Sequence, residues 1–147
     1  MSKFYFLILF FLSQNLFSQS KKITIKNTGV NMTVAILAVD SFIEFGDTII
    51  ALYRVDDLTE KDSNPYTNPD DFSVAGLTIW KGERQAIALW GNDSTSEQKD
   101  GFLNNEVINW AILRKNKYVP VQVVYRVGKN SWEPNGISIV DSVKARF

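Results

Sequence analysis

Residues 118–127 read YVPVQVVYRV, and this alternation, repeated in shorter form along the chain, limits the fold more than any other feature. Val119, Val121, Val123, Tyr125 and Val127 fall on one face of an extended strand, with polar Gln122 and Arg126 on the other. β-Branched and aromatic side chains fit a pleated, half-buried surface. Pro120 carries no amide proton, which predicts a sheet edge or a strand start at that point. The same period of two runs through KITIKN at Lys22–Asn27 and through VNMTVAILAV, where Val30, Met32, Val34, Ile36 and Ala38 share a face. DTIIALYRV follows a Gly46-Asp47 turn signal, and VAGLTIW and QAIALW flank KGER, whose Gly82 suits a tight hairpin turn. EVINWAILR and GISIVDSVKA complete the set. Gly76 inside a strand predicts a bulge or a close backbone approach. No stretch has an amphipathic helical period of useful length. About eight short strands separated by turn signals predict an all-β fold, a single antiparallel β-sandwich.

Ahead of the strands stands MSKFYFLILFFLSQNLFSQS. Lys3 supplies a positive start, Phe4 to Leu12 an apolar run, and Ser18 a small residue where cleavage is expected. That layout predicts a secretory signal peptide over residues 1–18 and one β-sandwich domain over 19–147. The apolar run falls short of the ~20 residues a spanning helix needs, so an integral membrane protein is not expected. An uncleaved anchor is the alternative. No Cys follows the run, which argues against a lipid anchor. The expected location is therefore outside the cell, at its surface, or in the periplasm.

Composition then removes whole classes of chemistry. The 147 residues contain neither Cys nor His. A disulfide scaffold is excluded, so the core must hold the fold alone. Cys- and His-based zinc sites and Ser-His-Asp or Cys-His nucleophiles are excluded with it. Sixteen Lys and Arg against sixteen Asp and Glu leave no basic excess to attract nucleic acid. Adjacent acids at Asp56-Asp57 and Asp70-Asp71 point apart in an extended chain, so neither pair makes a glycosidase site. The expectation is a protein that is not an enzyme and requires no cofactor.

Three constellations carry the remaining chemistry. LWGNDSTSEQKDGF, residues 89–102, places many side-chain oxygens directly after a strand. Asn92, Asp93 and Asp100 are the candidate ligands of a weak extracellular Ca²⁺ site, since Ca²⁺ takes six to eight oxygens from such loops. The spacing is not that of an EF-hand. The same residue types also form turns by bonding their own backbone, and Asp100-Gly101 is a common turn dipeptide. Among the aromatics, Trp80, Trp90 and Trp110 sit in strand-like runs and are expected in the core. Trp132 sits in the turn-rich GKNSWEPNG and is the candidate exposed platform for a sugar ring, with Tyr66 from the acidic loop as its partner. The alternative for Trp132 is a lid closing one end of the core. DDLTEKDSNPYTNPDDF, residues 56–72, is the longest irregular stretch; such loops are functional or are solvated connectors. The end, VDSVKARF, alternates into a terminal Phe147 in the manner of outer-membrane barrel strands, although several strands are short for that role.

A set of motifs spans Gly29 to Leu113: N-M-T-V at Asn31–Val34, G-D-x-I-x-A at Gly46–Ala51, W-x-G at Trp80–Gly82, W-G at Trp90-Gly91 running to Asp93, D-G-F at Asp100–Phe102, and Asn105-Glu106 ahead of a Trp-bearing strand. Together they resemble an uncharacterised β-sandwich module in secreted proteins of Bacteroidetes-type bacteria, often associated with type IX secretion. The resemblance implies an extracellular module that recurs beside adhesive or carbohydrate-related domains, and implies no reaction. Asn92 stands where the module carries an acid, which removes a charge from the candidate Ca²⁺ loop, and Asn105 stands where it carries Gly. Asp47-Thr48-Ile49, Asp93-Ser94-Thr95 and Asp141-Ser142-Val143 are similar to the O-glycosylation acceptor of proteins exported by such bacteria. The expected function is a secreted or cell-surface, non-catalytic binding or adhesion module for carbohydrate or another surface component. The alternative is a structural spacer or subunit of a surface assembly with no small ligand.

Overall fold

A computed structural model describes residues 23–56 and 63–146; the predicted leader at 1–18 lies outside the described residues. Seven strands form among the described residues: β1 (Asn31–Ile36), β2 (Thr48–Arg54), β3 (Phe72–Ile79), β4 (Gln85–Trp90), β5 (Asn109–Arg114), β6 (Lys117–Val127) and β7 (Ile137–Ala145). A short 3-10 turn, Pro69–Asp71, leads into β3. The all-β fold is as the sequence predicts. Its strands form one sheet in the order β3-β2-β5-β6-β7-β1-β4, nearly closed into a barrel. The pairs are antiparallel except β1–β7, which is parallel and runs from Thr33↔Ile137 to Ile36↔Val140. Alternation specifies which face a residue occupies and is silent on strand direction, so a mixed sheet reads as an antiparallel one.

Two predicted elements differ in detail. The described part of KITIKN forms no strand; Ile23 and Ile25 lie half-buried against the sheet, and the segment is held by side chains. Thr28 donates its hydroxyl to the Gly91 carbonyl at 2.5 Å, and Lys26 reaches Ser96 at 2.9 Å. KGER does turn the chain, with Gly82 at a positive φ of 77°, yet β3 and β4 are not hydrogen-bonded neighbours. They are the two ends of the sheet order, brought close across the barrel seam. Gly76 makes that approach possible: a Cβ there would stand 2.5 Å from the Ala88 carbonyl oxygen. The register between β2 and β3 also shifts beside it, at Ala51/Leu52, so both readings of Gly76 are met.

All seven strands contribute to one apolar interior. Met32, Val34 and Ile36 of β1 meet Ile49 and Ala51 of β2, Ile87 and Leu89 of β4, Ile112 of β5, and Val140 and Val143 of β7. Each side chain of this size stabilises the fold by about 1.5–3 kcal/mol when fully buried. β2 is buried on both faces: Ile50 and Leu52 point away from the interior into a second cluster with Phe72, Val74 and Ala111, covered by Ile23, Ile25, Tyr66 and Tyr118. No helix among the described residues is long and apolar enough to cross a membrane.

Pro120 has a particular place in this architecture. β6 pairs with β5 only from Lys117 to Pro120 and with β7 from Val121 onward. Pro120 cannot donate to a ladder, so the β5–β6 pairing stops there and the strands part. The expectation of an edge or strand start is not met: Pro120 lies inside β6, between β5 and β7, at the point where one partner is exchanged for the other.

Candidate functional site

The 91–102 turn is tied together from within. Asn92 accepts at Oδ1 from the Asp100 amide (2.9 Å), and the Asp93 amide donates to Asp100 Oδ1 (2.8 Å). Asp93 Oδ1 accepts from both the amide (2.9 Å) and the hydroxyl (2.7 Å) of Thr95. Asp100 Oδ2 accepts from Ser96 at 2.7 Å and forms an ion pair with Lys26. Burial alone would raise the Asp100 pKa; the Lys26 ammonium, the Asp93 amide and the Ser96 hydroxyl outweigh it and hold the carboxyl at about 2. The three residues predicted as calcium ligands therefore do come together; Asn92 Oδ1, Asp93 Oδ1 and both Asp100 oxygens accept from N–H and O–H donors, and the Lys26 ammonium is paired with Asp100. No group of three or more carboxylates able to hold a metal ion occurs among the described residues.

Trp132 corrects the prediction of an exposed platform. It is only 4% exposed, its indole N–H donates to the Leu89 carbonyl at 2.8 Å, and its ring stacks on Phe102 at 6.5 Å between centroids. Two glycines make room for it. A Cβ on Gly91 would stand 2.4 Å from the Trp132 ring, and a Cβ on Gly101 would stand 2.2 Å from the Gly91 carbonyl. A turn-rich sequence context signals a loop, not exposure; here the loop folds its aromatic inward as a lid on the interior. Trp80 and Trp110 are buried as expected, and Trp90 is half-buried. Of the three candidate O-glycosylation residues, Ser94 is exposed on a turn, whereas Thr48 and Ser142 are half-buried within strands.

Tyr66 is placed differently. Its half-buried ring forms the ridge between two depressions, of about 570 Å³ and about 600 Å³. The first is aromatic: Tyr66, Phe72 and Tyr118 line it together with Ile23 and Leu113, and Asp70, Asn116 and Lys117 stand among its polar lining groups. Burial, and then the nearby Asp70 charge, push the Tyr118 phenol above its ordinary range. The second occupies the gap where β5 and β6 part at Pro120. The Tyr66 hydroxyl spans that gap, donating to the Trp110 carbonyl at 2.6 Å and accepting from the Val121 amide. A phenol thus takes the place of the ladder rung that the proline stops. Deeper in, the Trp110 indole donates to the Tyr125 hydroxyl (3.0 Å), which donates to Asn130 Oδ1 (3.0 Å). Asn64, Asn109, Gln122, Asn130 and Arg146 complete the polar lining.

Trp132 and Tyr66 are therefore not partners in one site, since Trp132 closes the interior and Tyr66 divides an aromatic depression from an amide-lined one. Tyr118, Asn130 and Arg146 are absent from the sequence-based site because they are distant in the chain and assembled by topology. The available signal was Pro120, a proline inside a strong alternation. No protein-family profile matches the chain, and neither curated proteins nor solved structures yield a significant match.

Proposed function

We propose that this protein is a secreted or cell-surface, non-catalytic binding module whose ligand is a carbohydrate or a related surface component, bound across the Tyr66 ridge. The observation that carries the reading is the pairing of an aromatic depression with an amide-lined one on either side of Tyr66. Sugars present apolar C–H faces and a rim of hydroxyls. Tyrosine rings accept the first and amide side chains, each with donors and an acceptor, satisfy the second. Both depressions fall within the usual size range of ligand sites, about 300–1,000 Å³. The motif set shared with secreted modules supports the same location outside the cytoplasm. In the fold those motif residues are structural: Asp47 is ion-paired with Arg114, and Glu106 accepts from the Arg54 amide (2.9 Å) and the Leu103 amide (2.8 Å).

A glycan array tests the reading. The expected result is saturable binding that Tyr118→Ala weakens about tenfold at a temperature where the variant is still folded, because the ring supplies the apolar face on which sugar C–H groups pack. A spacer without a small ligand gives no saturable hit.

A further inference from the structure

We infer that the cleft between β5 and β6 receives a carboxylate-bearing sugar residue, with Arg146 as the group that takes the carboxylate. This narrows the carbohydrate reading above and rests on it. Around the cleft the hydrogen bonds fix the direction of each proton. An indole N–H can only donate. The Trp110 indole donates to the Tyr125 oxygen at 3.0 Å, so the Tyr125 proton turns to Asn130 Oδ1, also at 3.0 Å. Asn130 has its carbonyl occupied and is left with its NH₂ to offer. Asn64 reaches the same state by another route, its Oδ1 accepting the Tyr66 amide at 2.9 Å. The Tyr66 hydroxyl proton is committed to the Trp110 carbonyl at 2.6 Å, and Ser63 donates to the Asp71 carboxylate. Burial pushes the Tyr125 phenol up to about 12, so this chain of donors keeps its polarity across the physiological range.

Asn64 and Asn130 therefore offer N–H groups at the cleft, Asn109 turns its own NH₂ to the Val107 carbonyl, and the single charged lining residue is positive. Arg146 is exposed, its backbone amide is fixed on the Pro120 carbonyl at 3.2 Å, and its guanidinium has no ion-pair or hydrogen-bond partner among the described residues. Elsewhere Arg114 and Arg126 are each paired with a carboxylate. A cleft that offers donors and one unpaired guanidinium selects a ligand that brings acceptors and one negative charge. A guanidinium fork matches the two oxygens of a carboxylate, and the amide NH₂ groups match ring and hydroxyl oxygens beside it. With one cation present, a monoanionic uronate balances the cleft; a phosphate dianion does not.

Isothermal titration of the protein with oligogalacturonate and with its methyl ester tests this, since the two share a backbone and differ in charge. Alginate and hyaluronan oligomers extend the acidic arm, and neutral glucan and mannan oligomers the neutral one. The expected result is binding of at least one uronate oligomer, weakening as NaCl is raised. Its methyl ester or a neutral oligomer binds about tenfold more weakly. Arg146→Gln removes that preference without moving the unfolding midpoint, because the guanidinium holds no group among the described residues. Asn130→Asp, which replaces a donor by a negative charge, weakens uronate binding further. Neutral or esterified glycans binding as tightly as uronates, or a preference that survives Arg146→Gln, would overturn the inference and leave the carbohydrate reading standing. Binding of none of these glycans would overturn both.

Discussion

In the turn from Asn92 to Asp100, both oxygens of the Asp100 carboxylate are met by the protein's own donors; in the cleft beside Tyr66, two amide NH₂ groups and a guanidinium have no such partner among the described residues. The two regions look alike in composition, since each gathers Asn and Ser side chains. They differ in whether their polar atoms are matched internally. A polar segment that satisfies itself is a device for turning the chain. One whose donors remain unmatched at a cavity is a surface for recognition. Composition alone does not separate these cases; the direction of each hydrogen bond does.

The largest test of this contrast concerns the lid over the interior. Trp132→Ala is expected to lower stability by about 3–5 kcal/mol in denaturant unfolding, the usual cost of emptying an aromatic core position. A cost under about 0.5 kcal/mol is what an exposed platform gives, and would return Trp132 to the list of ligand contacts.

Asp100 comes next. Its folded pKa of about 2 lies below the ordinary value of 3.8. A carboxyl depressed in the folded state contributes stability above its unfolded pKa and loses it as pH falls through its folded one. Stability should therefore drop between about pH 4 and pH 2 in urea titrations of the wild type. Asp100→Asn should remove about 1–2 kcal/mol at pH 7 and flatten that part of the acid limb, because the charge-assisted bonds to the Lys26 ammonium and the Ser96 hydroxyl are lost.

Tyr66→Phe addresses the other region. Loss of the hydroxyl between Trp110 and Val121 should cost about 1 kcal/mol and speed hydrogen exchange at the Val121 amide, with no change at the Asp93 amide. Equal exchange in both proteins would mean that the phenol does not hold the gap. The smallest expected effect is that of calcium. With Lys26 already paired to Asp100, millimolar CaCl₂ should leave the melting midpoint unchanged. A rise that Asp93→Ala abolishes would restore the turn as a metal site and dissolve the contrast.

Much of the architecture was legible along the chain because alternation is a local property. β1, β4, β6 and β7 follow alternating runs, and the buried face of β1, with Met32, Val34 and Ile36, is the one the period of two picks out. β2 resists that pattern because it is buried on both sides, which only the second cluster explains. The parallel β1–β7 pair and the separation of β3 from β4 depend on contacts between distant segments, and no short window carries them. For the site, Tyr66 was visible as an aromatic in a long loop. Arg146 and Asn130 were not, since an isolated Arg near the end of a chain has no local mark of being unpaired. Trp132 was misplaced because turn-forming neighbours report backbone shape, while burial depends on what Gly91 and Gly101 leave open.

The parallel seam between β1 and β7 sets the order in which this molecule can assemble. β1 lies between β7 and β4, so one of its flanks stays bare until β7 has been made. The pairing that covers it, from Thr33↔Ile137 to Ile36↔Val140, joins segments far apart in the chain, the kind of long-range contact that slows folding most.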